Sequence, residues 1–178
     1  MEESSPDTRF YALVRVIDSI YQDEALSDIL YFIVSLATEL TGGKGSTIRV
    51  LEAGTFKLKV LSSFGLSQAY LNSGAIDHGK SMAEITQGDI IIINDFEEDP
   101  RVQNRNAARK EGLRSVIGIP FTVNEVTYSI LRVYFAFRKI PTHEEMELLN
   151  SLGKLSCVAI DRAVARELRK NPCKESKS

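Results

Sequence analysis

The stretch "AARKEGLRSVIGIPF" (residues 107–121) joins a polar helical segment to an apolar strand. Gly112 predicts that the helix ends there in the left-handed conformation, with Leu113 as the hydrophobic residue that usually accompanies such an end. Residues 115–121 are rich in β-branched side chains and predict a strand, and Pro120 restricts it to a strand end or a sheet edge. The stretch therefore predicts a helix that stops and a strand that starts at once.

The segment upstream predicts a polar helix. Asp99 is a favoured N-cap residue type, and Pro100 suits the first helical position, where its missing N–H costs nothing. Residues 104–110 continue as a solvated helix. Adjacent acidic residues before a helix usually stabilise its positive N-terminal end. We assign this local role, rather than catalysis, to Glu97, Glu98 and Asp99.

Apolar periodicity predicts the other elements. Helical spacing marks a narrow stripe from Phe10 to Tyr21 and a wider one from Leu26 to Leu40, which ends at Gly42-Gly43. Alternation predicts a hairpin and a long central strand that is apolar on both faces apart from Arg132. The predicted strands are residues 46–52, 55–64, 89–95, 115–121 and 126–137, with a short helix from Ser81 to near Gly88.

The final helix begins at Pro141-Thr142, where Thr142 and Glu145 have capping-box spacing. It carries two apolar rows, although a helix that rests only on its own sheet needs one. The second row and the Phe10–Tyr21 stripe predict a homodimer through the terminal helices. The alternative is that the first helix covers the second row within one chain. The rows are Leu149, Gly153, Cys157, Ile160, Val164 and Leu168, and Leu148, Leu152, Leu155, Ala159 and Ala163.

Composition excludes several classes of protein. The chain has 178 residues, 43% of them hydrophobic, which is enough for the core of one domain. Its 22 basic and 24 acidic side chains give a net charge of −2. Nothing in this balance points to nucleic-acid binding, which usually needs a clustered basic surface. No apolar run is long enough for a membrane span, and the acidic start is unlike a signal peptide. We expect a cytoplasmic protein, and Cys157 and Cys173 predict no structural disulfide.

Four segments follow one another along the second half of the chain: "INDFEEDPRVQ" (93–103), "AARKEGLRSVIGIPF" (107–121), "LRVYFAF" (131–137) and "PTHEEMELLNSLGKLSCVAIDRA" (141–163). Together and in this order they resemble a GAF domain of the kind found in bacterial sensor kinases and related signalling proteins. The resemblance covers residues 24 to 165. It implies an α+β fold with an antiparallel sheet of five to six strands in the order 2-1-5-4-3 and helices on both faces.

The resemblance also implies a layout. The predicted parts are an N-terminal helix (1–22), the GAF domain with its long last helix (23–169) and a disordered tail (170–178). The first, second and last helices cover one sheet face, and segments 65–88 and 96–112 cover the other, above a small-molecule pocket. One departure is Ser129, which stands where members usually have glycine.

The candidate ligand residues are Asn94, Ser115, Arg132 and Tyr134, with His78 and Lys80 at the rim. Alternation places Tyr128, Ile130, Arg132 and Tyr134 on one strand face. A buried arginine is costly unless it is paired, so Arg132 either meets an internal acid such as Asp95 or binds an anionic ligand.

No motif in the sequence supports catalysis. No set of His, Cys, Asp and Glu has the spacing of a metal site, and no cysteine is predicted at the pocket for sulfoxide reduction or covalent bilin attachment. The Asn-Lys-Phe-Asp-Glu signature of cyclic-nucleotide binders is missing, so the cofactor stays unknown. We expect a non-catalytic sensory module, at most part of or partner to a signalling enzyme such as a histidine kinase. The alternative is a degenerate GAF domain that serves as a dimerisation scaffold.

Overall fold

Strand β5 (Thr127–Phe135) lies at the centre of one antiparallel sheet in the order β2-β1-β5-β4-β3. The computed structural model describes residues 6–52, 57–73, 88–123 and 127–170. The described part confirms the predicted α+β class and the strand order. The other strands are β1 (Gly45–Glu52), β2 (Lys57–Phe64), β3 (Ile91–Ile93) and β4 (Ser115–Val123); the helices are α1 (Pro6–Tyr21), α2 (Leu26–Thr41), α3 (Gln68–Leu71), α4 (Arg105–Glu111) and α5 (His143–Lys170).

The sequence of β5 explains its central position. It pairs with β1 on one side, from Gly45↔Tyr134 to Val50↔Ser129, and with β4 along its whole length on the other. Leu131, Val133 and Phe135 face the helices, and Ile130 and Tyr134 face the opposite side. A strand that is apolar on both faces is stable only where both faces are covered.

Helices α2 and α5 cover one face of the sheet, as predicted, and α1 packs mainly on these two helices. Helix α2 packs on β1, β2 and β5, and α5 packs on β4 and α2. The start of α5 has the predicted capping box: Thr142 N donates to Glu145 Oε2 at 2.9 Å, and Glu145 N donates to Thr142 Oγ1 at 3.2 Å. These two bonds satisfy donors that the first turn of a helix otherwise leaves unpaired.

Most of the predicted apolar stripe of α1 faces solvent rather than the core. Its buried residues are Ala12, Val16 and Ile20, whereas Phe10 and Tyr21 are 63% and 78% exposed. Helix α1 packs against two helices at once, and ion pairs at both ends set its rotation: Arg9 with Glu144, and Asp23 with Arg162 and Arg166. In this orientation Ala12, Val16 and Ile20 pack into the shared core, and Phe10 and Tyr21 stay outside it.

The second row of α5 does need a partner, but α1 and α2 of the same chain supply it. Leu148, Leu152 and Ala159 are buried in the core that these helices share. Helix α1 runs parallel to α5, since Arg9 meets the first turn of α5 and Asp23 meets its later turns. This row therefore gives no support to a dimer, and the alternative of coverage within one chain is the arrangement found.

Two predicted boundaries also change. The predicted strand 89–95 is limited to Ile91–Ile93, and the helix predicted to start at Asp99-Pro100 starts five residues later, with Asn104 Oδ1 accepting from Ala107 N at 3.0 Å. Pro120 lies where predicted, on an edge, because the last β3 pair is Ile91↔Gly118. The predicted helix after Ser81 lies outside the described residues.

Ser129 generates a stability prediction. Its side chain is fully buried on the helix face, and its hydroxyl has no hydrogen-bond partner. We expect Ser129→Ala to raise the free energy of unfolding by about 1 kcal/mol, because a buried hydroxyl without a partner is destabilising. Urea denaturation measures the change.

The matched control is Ser156→Ala. Ser156 is also fully buried, but its hydroxyl donates to Leu152 O at 2.8 Å. This variant should be neutral or slightly destabilised. Equal losses of stability in both variants would show that the Ser129 hydroxyl is satisfied in solution.

Candidate functional site

The sheet face opposite the helices carries polar residues inside an otherwise apolar cluster. Strand β5 contributes Arg132 and Tyr134 to this face, and β1 contributes Thr47 and Arg49. Helix α3 and the segment that contains α4 cover it. We call it the pocket face; the apolar residues packed there are Leu58, Tyr70, Ile91, Ile93, Phe96, Val102, Ala108, Leu113, Val116 and Ile130.

Arg132 is almost fully buried, with 1% of its surface exposed. It pairs in the sheet with Thr47 on one side and Gly118 on the other. A Cβ added at Gly118 would lie 3.5 Å from Arg132 Cγ and 2.9 Å from Ile130 Cδ1. The missing side chain at Gly118 thus leaves room chiefly for Ile130, which lies beside Arg132 on the same face.

Asp95, the acid suggested as a partner for Arg132, is bound elsewhere. Its carboxylate accepts a hydrogen bond from Arg114 Nη2 at 2.6 Å and pairs with Arg138. Burial by itself raises the pKa of Asp95, but the Glu97 N–H and the two guanidinium groups outweigh burial and lower the pKa below its ordinary value. The ion pair proposed between Asp95 and Arg132 is therefore wrong.

Sequence reasoning missed Arg49 and Thr47. Arg49 is 3% exposed, and its Nη2 donates to Leu71 O at 3.2 Å, at the end of α3. Thr47 is fully buried, and its hydroxyl has no hydrogen-bond partner. Alternation within "STIRVLE" could have found both residues, because Ile48 faces the helices and its two neighbours must face away.

Tyr134 lies on the pocket face beside Arg132, as alternation predicts. Its ring meets the ring of Tyr70 edge to face, with centroids 5.5 Å apart. Aromatic pairs favour this geometry. Tyr70 belongs to α3, so the short helix covers β5 at this point.

Two other proposed ligand residues, Ser115 and Asn94, do not join this pair. Ser115 has the register of Phe135 and so lies on the helix face, where its hydroxyl donates to Phe137 O at 2.7 Å. Asn94 is exposed at the end of β3. His78 and Lys80 lie outside the described residues. Of the proposed set, the structure brings together Arg132 and Tyr134.

The acids of residues 97–99 pair with arginines instead of serving a helix end. Glu97 bonds to Arg109 through both carboxylate oxygens, at 2.6 and 2.5 Å, and this pairing lowers its pKa. Asp99 likewise bonds to Arg101 at 2.6 Å, which lowers the pKa of Asp99. The assignment to a helix N-terminus was wrong because that helix starts later, at Arg105.

The EGLRS segment (residues 111–115) holds this layer on the sheet. Gly112 has φ 69° and ends α4 in the predicted left-handed conformation. Leu113 is buried in the pocket-face cluster. Arg114 bonds to β5 through its backbone, since its N–H donates to Phe135 O at 2.7 Å, while its carbonyl accepts from Phe96 N at 2.8 Å. The side chain of Glu111 reaches Ser67, next to α3.

Other candidate chemistry is absent from the described ranges. Within residues 6–52, 57–73, 88–123 and 127–170, no group of three His, Cys, Asp or Glu residues could hold a metal ion. Cys157 lies on the helix side of the sheet, where its thiol donates to Thr122 O at 2.9 Å, and burial raises its pKa. Cys173 falls outside those ranges. No described helix has the length and apolar character needed to cross a membrane.

The family follows from a sequence comparison. The model of the GAF domain family matches residues 23–161, which is most of the chain. The chain belongs to the GAF domain family. A comparison with curated proteins gives no match.

Solved structures show the same GAF fold. The GAF domain of a phosphoenolpyruvate-protein phosphotransferase from Coxiella burnetii has a TM-score of 0.76 at 15% identity, over 92% of this chain and 99% of that one. A phycocyanobilin-bound GAF domain from a cyanobacterial phytochrome has a TM-score of 0.71 at 15% identity, over 89% and 96%. A domain of a putative two-component sensor histidine kinase from Sinorhizobium meliloti 1021 has 0.68 at 12% identity, over 83% and 98%.

The Asp95 carboxylate generates a pH prediction for this GAF domain. Because its pKa is lower in the folded protein than the ordinary value of 3.8, ionised Asp95 stabilises the fold above that value, and the stabilisation is lost as pH falls through the folded-state pKa. We expect Asp95→Asn to be less stable than wild type at about pH 7, with the difference shrinking towards about pH 3. Urea denaturation across this range measures the difference.

The control for this measurement is Asp18→Asn. Asp18 is exposed on α1, so its replacement should change stability little at either pH. A difference between wild type and Asp95→Asn that stays constant with pH would mean that the charge of Asp95 does not stabilise the fold.

Proposed function

We propose that this GAF domain is a non-catalytic regulatory module that binds a small molecule on the pocket face and signals through its terminal helices. The observation that carries the proposal is the placement of Arg132, a nearly fully buried cation, beside Tyr134 on the face that α3 covers. Burying a guanidinium is costly, and the side chain occupies a central strand where apolar residues would pack well. A guanidinium that keeps a structural partner has further donors with which it can bind a ligand.

The chemistry of this face suits a ligand with an anionic group. Arg132 and Arg49 project from neighbouring strands on one side of the sheet. A guanidinium has five N–H donors, so it can hold a structural partner and still bind a carboxylate or phosphate. Thr47, which pairs with Arg132 in the sheet, adds a buried hydroxyl, and the tyrosine rings add an apolar surface.

We also propose limits for the domain and a cellular location. We place the ligand-binding unit at residues 23–169, preceded by the helical segment 1–22 and followed by a tail at 170–178. The module acts in the cytoplasm, as part of or partner to a signalling enzyme such as a histidine kinase.

The Arg132 variant tests ligand binding. Native mass spectrometry of the purified wild type should show a retained small molecule or, with added carboxylate and phosphate compounds, thermal melts should show a stabilising shift. Arg132→Met should abolish either signal. If Arg132 is only a structural ion pair, the variant should instead lose about 3–5 kcal/mol of stability.

Arg109→Met is the matched control. Its guanidinium is 60% exposed and pairs with Glu97 outside the pocket face. This variant should bind as the wild type does. A wild type that retains no molecule and shows no shift with any of these anions would contradict the proposal, as would Arg132→Met with unchanged binding.

A dimerisation role is the second candidate, and the solvent face of α1 favours it. Phe10, Val14, Ile17 and Tyr21 follow one another at spacings of four, three and four residues, which is the spacing of a coiled-coil seam. Phe10, Ile17 and Tyr21 are 63%, 51% and 78% exposed. A second copy that presents the same seam would bury these side chains around a two-fold axis.

Sedimentation equilibrium tests the dimer. Wild type should associate at about tens of micromolar, and the double variant Phe10→Glu, Ile17→Glu should be monomeric, because buried charges oppose association. The control is Ile90→Glu, Ile140→Glu, two exposed isoleucines away from α1, which should leave the dimer intact. A wild type that stays monomeric would exclude the scaffold role.

A further inference from the structure

The two segments that cover the pocket face meet at Glu111. Its carboxylate accepts hydrogen bonds from the backbone N–H of Ser67 at 2.7 Å and from the Ser67 hydroxyl at 2.5 Å. Ser67 is the N-cap of α3, since its hydroxyl oxygen accepts from Tyr70 N at 3.2 Å. The side chain of Glu111 therefore joins the end of α4 to the start of α3.

Helix α3 lies where a ligand would meet it. The Tyr70 ring covers Tyr134, and the Leu71 carbonyl accepts from Arg49. A molecule that contacts Arg49 or Tyr134 has to contact or displace this helix. Because Glu111 holds Ser67, a displacement of α3 pulls on the end of α4.

The chain leaves α4 by a short and tightly bonded path to β5. Leu113 N donates to Ala108 O at 2.9 Å, and Lys44 Nζ donates to the carbonyl of Glu111. Arg114 then donates through its backbone to Phe135 O and through its guanidinium to Asp95. Glu111, which contacts the start of α3, and Arg114, which contacts Asp95, are thus three positions apart in the chain.

Asp95 connects Arg114 to the strand-to-helix link that precedes α5. The Asp95 side chain is only 4% exposed, and it pairs with Arg114 and with Arg138. Arg138 stands three residues after β5 and five before α5, and it also bonds to Glu98 at 2.7 Å. When a buried carboxylate loses one partner, water does not readily replace the lost interaction. A shift of Arg114 is therefore passed to Arg138.

We propose that Ser67, Glu111, Arg114, Asp95 and Arg138 form a relay that couples α3 to the start of α5. Glu111 and Asp95 are positioning residues in this relay. The inference rests on the proposed function, since a bound molecule is what would move α3. It names the side chains by which a change at the pocket face reaches the helix that carries the signal. Chains of hydrogen-bonded and ion-paired side chains of this kind can carry coupling between two sites.

Hydrogen–deuterium exchange of the protein without ligand tests the relay. Glu111→Ala removes the bonds to Ser67 and should accelerate exchange about tenfold at amides of residues 68–72, as expected for the loss of a charge-assisted hydrogen bond. The relay predicts faster exchange at residues 142–147 as well, where the amides of Thr142, Glu145 and Met146 are hydrogen-bonded, with α2 unchanged. Glu111→Gln keeps an acceptor for the Ser67 N–H and should largely restore both regions.

Coupling must also act in the reverse direction. Arg138→Gln, which removes an exposed partner of Asp95, should accelerate exchange at residues 68–72. Glu97→Ala is the control, because it breaks the Arg109 pair beside the relay. It should change exchange only near α4.

Two outcomes would overturn the relay. One is faster exchange at residues 68–72 in Glu111→Ala while residues 142–147 keep the wild-type rate. The other is Glu97→Ala changing both regions as strongly as Glu111→Ala does. Because no ligand is used, failure here is distinguishable from failure of the ligand-binding proposal, which native mass spectrometry tests separately.

Discussion

Burial of β5 on both faces is the constraint on which the rest of the structure depends. Leu131, Val133 and Phe135 need an apolar layer on one side, and Ile130 and Tyr134 need another on the opposite side. Backbone groups of a central strand must also be bonded on both edges, which β1 and β4 provide. The sheet order, the helix layer and the cover of the pocket face all follow from satisfying this strand.

The two layers meet that need by different physical means. The helix layer uses backbone hydrogen bonds within α1, α2 and α5 and apolar contacts between them. The opposite layer has short helices, so side chains bond its backbone: Arg101 donates to Ile92 O at 2.7 Å, and Arg105 donates to Phe96 O at 3.1 Å. Arginines are suited to this work because one guanidinium can bond several carbonyls. A layer held by side chains can shift more readily than one held by helices, which suits a cover for a ligand.

The helix layer and the pocket cover converge on the link between β5 and α5. On the pocket side, Arg138 pairs with Asp95 and Glu98; on the helix side, Lys139 Nζ donates to Glu145 Oε1 at 2.6 Å, within the capping box of α5. The neighbouring residues Arg138 and Lys139 thus bond to groups on opposite faces of the sheet. The arrangement gives a regulatory domain a direct path from one face to the other.

The sequence by itself determined the elements, their order and the central place of β5, because periodicity, capping residues and the apolar content of a strand are local properties. It also predicted Arg132 and Tyr134 on one face, since alternation along a strand is a local rule. Only the tertiary structure decided partners. Asp95 pairs with Arg114 and Arg138 rather than Arg132, Ser115 turns to the helix face, and α1 buries Ala12, Val16 and Ile20 while Phe10 and Tyr21 stay exposed. These outcomes depend on contacts between side chains far apart in sequence and on how each helix packs against its neighbours. The periodicity of residues along the chain carries no information on either.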